Sequence, residues 1–321
     1  MTARTSNISA IQIPDAPHLR VEQDSPLSRT TTWRIGGPAD FLVRTGTSDD
    51  LTAAVHWGVG EGLPITVIGG GSNLLVSDAG IRGLVIISKV SGEKATNLVT
   101  WDDLGDEVRL TVGAQAPLSW VGRFASENGW AGMDWGVGLP GTIGGATVNN
   151  AGAHGTEQKD HLESLTVLRL DSAVESHDRA WLNPTYRNTT IKAMSRPRDY
   201  VVVDVTMRLP RGDTAELVRL SDKHAAYRKA TQPTGACGGS TFANPDGDFA
   251  GRLLEVAGLK GFGIGPVSFS EKHTNFIINA GGGTAEQVRE LIAHGQAVVR
   301  ERFGVELHRE IEYLGEMAGA E

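Results

Sequence analysis

The stretch Gly138–Gly155, GLPGTIGGATVNNAGAHG, constrains the chain more than any other. Six of its eighteen residues are glycine, with one proline and two consecutive asparagines among them. Glycine loses the most backbone entropy on folding, so a core strand or helix does not tolerate that density. Such a stretch makes sense where backbone must approach something closely. Its amides can then face an anion, as phosphate-cradling loops do. Pro140 presets φ for a turn or a helix N-terminus. A second run, Pro64–Asp78, reads PITVIGGGSNLLVSD: apolar chain, a tight turn over Gly69, Gly70, Gly71, Ser72 and Asn73, then apolar chain from Leu74. Two such loops suggest one extended phosphate-bearing ligand held from two sides. The alternative is a pair of glycine-rich surface connections.

The 321 residues carry a net charge of −8, which argues against a nucleic-acid or anionic-membrane surface. One cysteine, Cys237, excludes an internal disulfide and a cysteine-cluster metal site. The nine histidines show no metal-ligand spacing, so no metal is expected. No secretory signal and no run of eighteen apolar residues is visible, and a cytoplasmic location is expected. Gly136–Gly141 satisfies G-x-G-x-x-G, yet no strand precedes it and Pro140 interrupts it, so a dinucleotide fingerprint is discounted. No P-loop motif occurs, and Ser240 does not sit in a G-x-S-x-G elbow. Taken singly, Arg187 reads as a surface residue, Glu310 as a solvated or salt-bridged one, Ser240 as a turn former or cap, His154 as a loop-packing or cofactor-edge residue and Cys237 as small buried filler.

Residues 1–28 read as a polar arm, partly disordered at its start. Helices are predicted over Ser48–Gly60 with Ser48 as N-cap, Pro117–Asn128, Thr214–Ala230, Asp248–Ala257 and Thr284–Phe303. In the last, Thr284 and Gln287 form a capping box, and Val288, Leu291, Ile292, Val298 and Val299 share a core face. Strands are predicted over Leu84–Ser88, Glu107–Gly113, Glu163–Leu170, Tyr200–Leu209, Asn275–Asn279 and Ile311–Gly315. The composition change at Pro210–Asp213 marks a candidate domain boundary.

Seven segments in order then carry a resemblance: TWRIGGPA at 32–39, Val67–Asp78, Gly138–Gly155, Tyr186-Arg187, GSTFANP at 239–245, SEKH at 270–273, and Glu310. Together they resemble the UDP-N-acetylenolpyruvoylglucosamine reductases, the MurB family of bacterial cell-wall flavoenzymes, from about Leu27 to Gly315. The resemblance implies an α+β fold. It consists of a two-subdomain FAD-binding domain of the vanillyl-alcohol-oxidase (PCMH) type over 29–211, with subdomains of about 29–88 and 89–211. A smaller α/β substrate-binding domain over 212–316 and a tail at 317–321 follow. The run YRKATQP at 227–233, leading straight into the Ser240 loop, resembles the shorter class that lacks an extra tyrosine-bearing loop.

The implied chemistry is a two-step reduction. NADPH reduces a non-covalently bound FAD, which then reduces UDP-N-acetylglucosamine enolpyruvate to UDP-N-acetylmuramate. By motif match Arg187 and Glu310 flank the substrate carboxylate and Ser240 donates a proton. The FAD would lie on Gly69–Leu74 and on Gly141, Thr142, Gly144, Gly145, Asn150 and Gly152. Asn244 matches a UDP contact, and Arg228 and Lys272 are assigned to UDP from charge and position. A monomer is expected. Ala243 stands where the family often has lysine, Thr189 where it usually has serine, and 265–269 departs from its usual run. Two other readings stay open: an oxidase on the same FAD-binding fold, and a nucleotide-binding regulator without turnover.

Overall fold

The computed structural model describes residues 11–171, 173–196 and 198–317. Three lobes meet around one cleft. The first is a five-stranded sheet ordered Ile11–Ile13, Ala16–Pro26, Pro38–Thr45, Ile81–Ser88 and Ile65–Ile68, with its last three strands parallel. The helix Ser48–Gly60 covers it, burying Leu51, Ala54 and Val55. The second lobe is an antiparallel sheet ordered Val174–Asp178, Leu162–Arg169, Tyr200–Pro210, Glu107–Gly113 and Val99–Asp103. Alternation along Glu107–Gly113 buries Val108, Leu110 and Val112 on one face. Leu168, Val201 and Val203 from this sheet join the core of the first lobe, so the two sheets pack on each other.

The third lobe is a short antiparallel sheet, Ala236–Cys237, Ile277–Asn279, Val267–Phe269 and Gly263–Ile264, under the helix Ala285–Phe303. That helix carries the capping box expected of Thr284 and Gln287, ends on Gly304 at φ 68°, and buries Val288, Leu291, Ile292 and Val299. This lobe is bolted to the first. Trp33 is fully buried in its core, its indole Nε1 donates to the Ile277 carbonyl at 2.8 Å, and Asn279 Nδ2 donates to the Trp33 carbonyl at 2.9 Å. The strand Glu312–Leu314 returns to pair in parallel with Leu74–Val76, directly after the triple-glycine turn.

Several expectations need correction. The polar arm is not an arm from residue 11 onward. Ala16–Pro26 alternates enough apolar residues to bury Leu19 and Val21 and is an integral strand, while the arm's expected disorder lies outside the described residues. Thr47, not Ser48, caps the first long helix. It pairs reciprocally with Asp50, and the Ser48 hydroxyl donates instead to Asp204 at 2.9 Å. The helix Thr214–Thr231 packs on Leu118–Glu127 of the second lobe, through an Arg123–Asp222 ion pair at 2.6 Å and a Ser126–Ser221 hydrogen bond at 2.8 Å, rather than opening the third lobe. The next helix begins at Ala250, two residues after Asp248, because Asp248 turns its carboxylate to the Phe249 amide and to Arg252.

Candidate active site

The cleft between the lobes encloses about 380 Å³. Its floor is the meeting point of the two glycine-rich loops. A Cβ on Gly70 would sit 2.6 Å from the Gly141 Cα, which no side chain tolerates, so only glycine lets these backbones touch. The amides of Gly70, Gly71, Ser72 and Asn73 donate to no other group among the described residues. Backbone donors without partners are rare away from water, and four in succession at a cleft could hold an anion. The second loop behaves differently. Ile143 and Gly144 spend their amides on the carbonyls of Ala116 and Ala114, at 2.9 and 3.0 Å, and the Gly145 amide goes to the capping hydroxyl of Thr142. The amides of Gly141 and Thr142 donate to no other group among the described residues, so this loop brings two free donors and the bare glycine surface at Gly145 to the cleft.

The three residues expected to carry the chemistry, Arg187, Ser240 and Glu310, line this cleft together although they are scattered over the chain. Backbone register brings two of them side by side. The Glu310 amide donates to the Thr241 carbonyl at 2.9 Å, and the Ala243 amide donates to the His308 carbonyl at 2.9 Å. Buried Asn275 clamps the serine loop, accepting from the amides of Thr241 and Phe242 and donating back to the Phe242 carbonyl. Asn73 reaches across from the triple-glycine turn, its Nδ2 3.2 Å from both the Glu310 carbonyl and the Asn149 side chain. The seat for the anion and the segment carrying Glu310 are therefore tied together.

Arg187 sits in the tight turn Thr185–Asn188 at φ 55°. Its guanidinium donates to the carbonyls of Asn150 and Gly152, at 3.3 and 2.8 Å. Its Nε lies 2.9 Å from Glu310 Oε1, within ion-pair range but with the N–H aimed off the line. Burial pushes the Glu310 carboxyl above the ordinary carboxylate range, against the pull of Arg187 and Lys192. The site thus sets a guanidinium held by two carbonyls beside a carboxyl whose proton affinity burial raises.

Of the other expected contacts, Gly69, Leu74, Gly141, Thr142, Gly145 and Arg228 line the cleft, and so do Gly144 and Gly152. Asn150 does not. It ends the helix Ile143–Asn149 at φ 42°, and its buried amide is consumed by Glu157, Thr185 and Lys159. Asn244 is exposed, lies outside the cleft lining, and caps the helix Ala250–Val256 through the Ala250 amide at 3.1 Å. Lys272 is likewise outside the lining, with its Nζ on the Lys229 carbonyl at 2.8 Å. Thr189 keeps the hydroxyl's work: it donates to the Val148 carbonyl at 2.6 Å and caps Thr190–Ala193. Residues not singled out from the sequence, Arg196, Arg198 and Glu312, also line the cleft. The signal for Glu312 was available, since residues two apart in extended chain share a face with Glu310. Arg196 and Arg198 carried none.

Known proteins resemble this chain over nearly its whole length. Residues 39–176 match an FAD binding domain, and residues 231–314 match the C-terminal domain of UDP-N-acetylenolpyruvoylglucosamine reductase. A reductase of that name from Synechocystis sp. is 37% identical over 301 residues, covering 93% of this chain and 92% of its own length. The chain belongs to that family. Another member, from Synechococcus sp., is 40% identical over 310 residues and is covered to 97% of its length. The crystal structure of the family's enzyme from Thermus caldophilus superposes with a TM-score of 0.75 at 32% identity, covering 92% of this chain and all of that one. The fold is accordingly the α+β family fold, an FAD-binding domain followed by a smaller C-terminal domain. In place of any inserted loop, four residues, Gln232–Gly235, join the helix Thr214–Thr231 to the strand Ala236–Cys237.

Proposed function

We propose that this enzyme is an FAD-dependent oxidoreductase that reduces the enolpyruvyl ether of UDP-N-acetylglucosamine to UDP-N-acetylmuramate for peptidoglycan synthesis, with NADPH as hydride donor. One observation carries the reading. Arg187, Ser240 and Glu310, from three distant segments, converge on the cleft whose floor offers the unspent amides of Gly70–Asn73. The amides of Gly70–Asn73 and the bare wall at Gly141 and Gly145 fit the phosphates and backbone-close portion of FAD. A flavin held there supplies hydride exchange with a nicotinamide and with an activated carbon.

The chain's own groups supply the rest. When hydride adds to the β-carbon of an enolpyruvyl ether, negative charge collects on the carboxylate oxygens. Arg187, pre-set by the carbonyls of Asn150 and Gly152, offers its guanidinium to that charge without rearranging. Glu310 is useful in its protonated form, in which it donates a hydrogen bond where a second carboxylate would repel. Burial raises the pH range over which that form persists. The Ser240 hydroxyl delivers a proton to the α-carbon. Arg228 lines the cleft, with Nε 3.2 Å from the Gly138 carbonyl, and is the cation available to a diphosphate there. Asn244 and Lys272 lie outside the cleft lining.

An anaerobic titration tests the proposal. The purified protein is yellow, bleaches with NADPH, and regains its colour stoichiometrically when enolpyruvyl-UDP-N-acetylglucosamine is added. Recovery with oxygen but not with this substrate would point to an oxidase on the same fold and overturn the assignment.

A further inference from the structure

Behind Arg187 stands a lysine that does not line the cleft. Lys192 lies in the one-turn helix Thr190–Ala193, whose start is rooted on Val148 through the Thr189 hydroxyl. Its amide donates to Thr189 Oγ1 at 3.1 Å, and its carbonyl accepts from Arg198 Nη2 at 3.2 Å. With its backbone fixed at both ends, the side chain reaches back and its Nζ donates to the Arg187 carbonyl at 2.8 Å. Arg187 occupies the left-handed region, φ 55°, in a turn closed by reciprocal Thr185–Asn188 hydrogen bonds. A non-glycine residue stays in that conformation only when its surroundings over-determine it. Four charged groups face the ammonium: Glu310 and Glu312 from the C-terminal segment attract it, and Arg187 and Arg198 repel it. Arg198 is itself held by Glu312 at 2.5 Å.

We propose that Lys192 is a positioning residue for the reaction, pinning the turn that presents Arg187 to the substrate carboxylate and placing a second cation beside Glu310. The inference deepens the functional reading above and rests on it. A partly buried ammonium with one backbone acceptor and two carboxylates in its field does two separable things. Its donor fixes the guanidinium, and its charge favours the ionised form of Glu310. It thereby lowers the pH above which Glu310 no longer holds its proton, against the larger upward push of burial and alongside Arg187. Burial depresses the lysine's own pKa, so its charge depends on those carboxylates remaining in place.

The variants Lys192→Met, Lys192→Gln and Lys192→Arg separate the two effects. Gln keeps a donor without charge, Arg keeps both, and Met keeps neither. Calorimetric titration with UDP-N-acetylmuramate, which bears the carboxylate, is compared with UDP-N-acetylglucosamine, which does not. Stopped-flow flavin reoxidation by the enolpyruvyl substrate is followed against pH. In Met, affinity for the carboxylate-bearing nucleotide falls about tenfold while the other is unchanged, the loss expected of one charge-assisted contact. In both Met and Gln the high-pH fall in reoxidation moves upward by roughly one pH unit, because Glu310 loses a neighbouring cation. Arg restores both, and flavin reduction by NADPH stays within twofold throughout. If Met does not fold, the Gln and wild-type profiles decide the charge effect. Variants whose discrimination and pH limb match the wild type sink the Lys192 assignment alone. A wild-type protein that binds both nucleotides equally sinks the functional reading and this inference with it.

Discussion

Gly144 and Gly145 are neighbours in one helix, yet they should fail in opposite ways when given a methyl group. At Gly144 the new Cβ would lie 2.7 Å from the Ala114 Cβ and 3.2 Å from its carbonyl oxygen, both in the second-lobe core. Such overpacking costs about 1–3 kcal/mol. At Gly145 the only neighbour is Thr142 Oγ1 at 3.6 Å, an ordinary contact, and the residue lines the cleft. Alanine there gains roughly 0.5–1 kcal/mol over glycine in a helix. A domain of this size shifts its Tm by roughly 2–4 °C per kcal/mol. Apo-protein melting should therefore fall by about 2–12 °C for Gly144→Ala and rise by about 1–4 °C for Gly145→Ala. Binding should reverse the order. A methyl placed on the glycine wall costs the ligand about 1–3 kcal/mol, or about 5- to 150-fold in Kd for FAD, measured by quenching of flavin fluorescence on the deflavinated protein. A Gly145→Ala protein that is more stable and binds FAD as tightly as the wild type would refute the argument that this wall faces the cofactor.

Ser240→Ala should leave flavin reduction by NADPH nearly intact and slow reoxidation by the enolpyruvyl substrate about 10²–10⁴-fold, as read by single-turnover absorbance; equal loss in both halves would remove its role as proton donor. Arg187→Lys keeps the charge but loses the planar fork, and should lower kcat/KM for the enolpyruvyl substrate by an amount worth about 2.7–4 kcal/mol, with single-turnover flavin reduction by NADPH little changed. Asp204 is half-buried, accepts from Ser48 at 2.9 Å, and burial raises its carboxyl above the ordinary range. A raised folded-state pKa contributes stability at pH values below the unfolded-state value of about 4, and that stability is lost as pH rises through the folded value. Asp204→Asn cannot titrate, so its Tm advantage over the wild type should grow from pH 4 toward neutrality, and a constant difference would contradict the sign.

Much of the site was legible where local chemistry is decisive. The triple-glycine turn and the Gly138–Gly155 stretch announced close backbone approach, and both proved to form the floor of the cleft. The capping box at Thr284 and Gln287 was readable because both partners lie within one turn. So was the strand Glu107–Gly113, whose alternation matches the observed bounds. The resemblance of seven ordered segments placed Arg187, Ser240 and Glu310 in one reaction, a convergence that no spacing along the chain expresses. The misreadings share a physical cause. Thr47 and Ser48 are both good caps, and only the position of Asp204 on a distant sheet draws Ser48 away. Ala16–Pro26 looked polar because one of its faces meets solvent, and a strand's worth depends on the partner it pairs with.

Asn150, Asn244 and Lys272 have the chemistry of ligand contacts, yet Asn150 is spent within its turn, while Asn244 Oδ1 and Lys272 Nζ each meet a backbone group. Sequence determined which backbone could bend tightly and which side chains could bear charge. Tertiary structure alone decided which of those groups remain unspent. Hydrogen-bond partners and burial are set by segments far away along the chain, as when Trp33 meets Ile277 or Lys192 meets the field of Glu310 and Glu312.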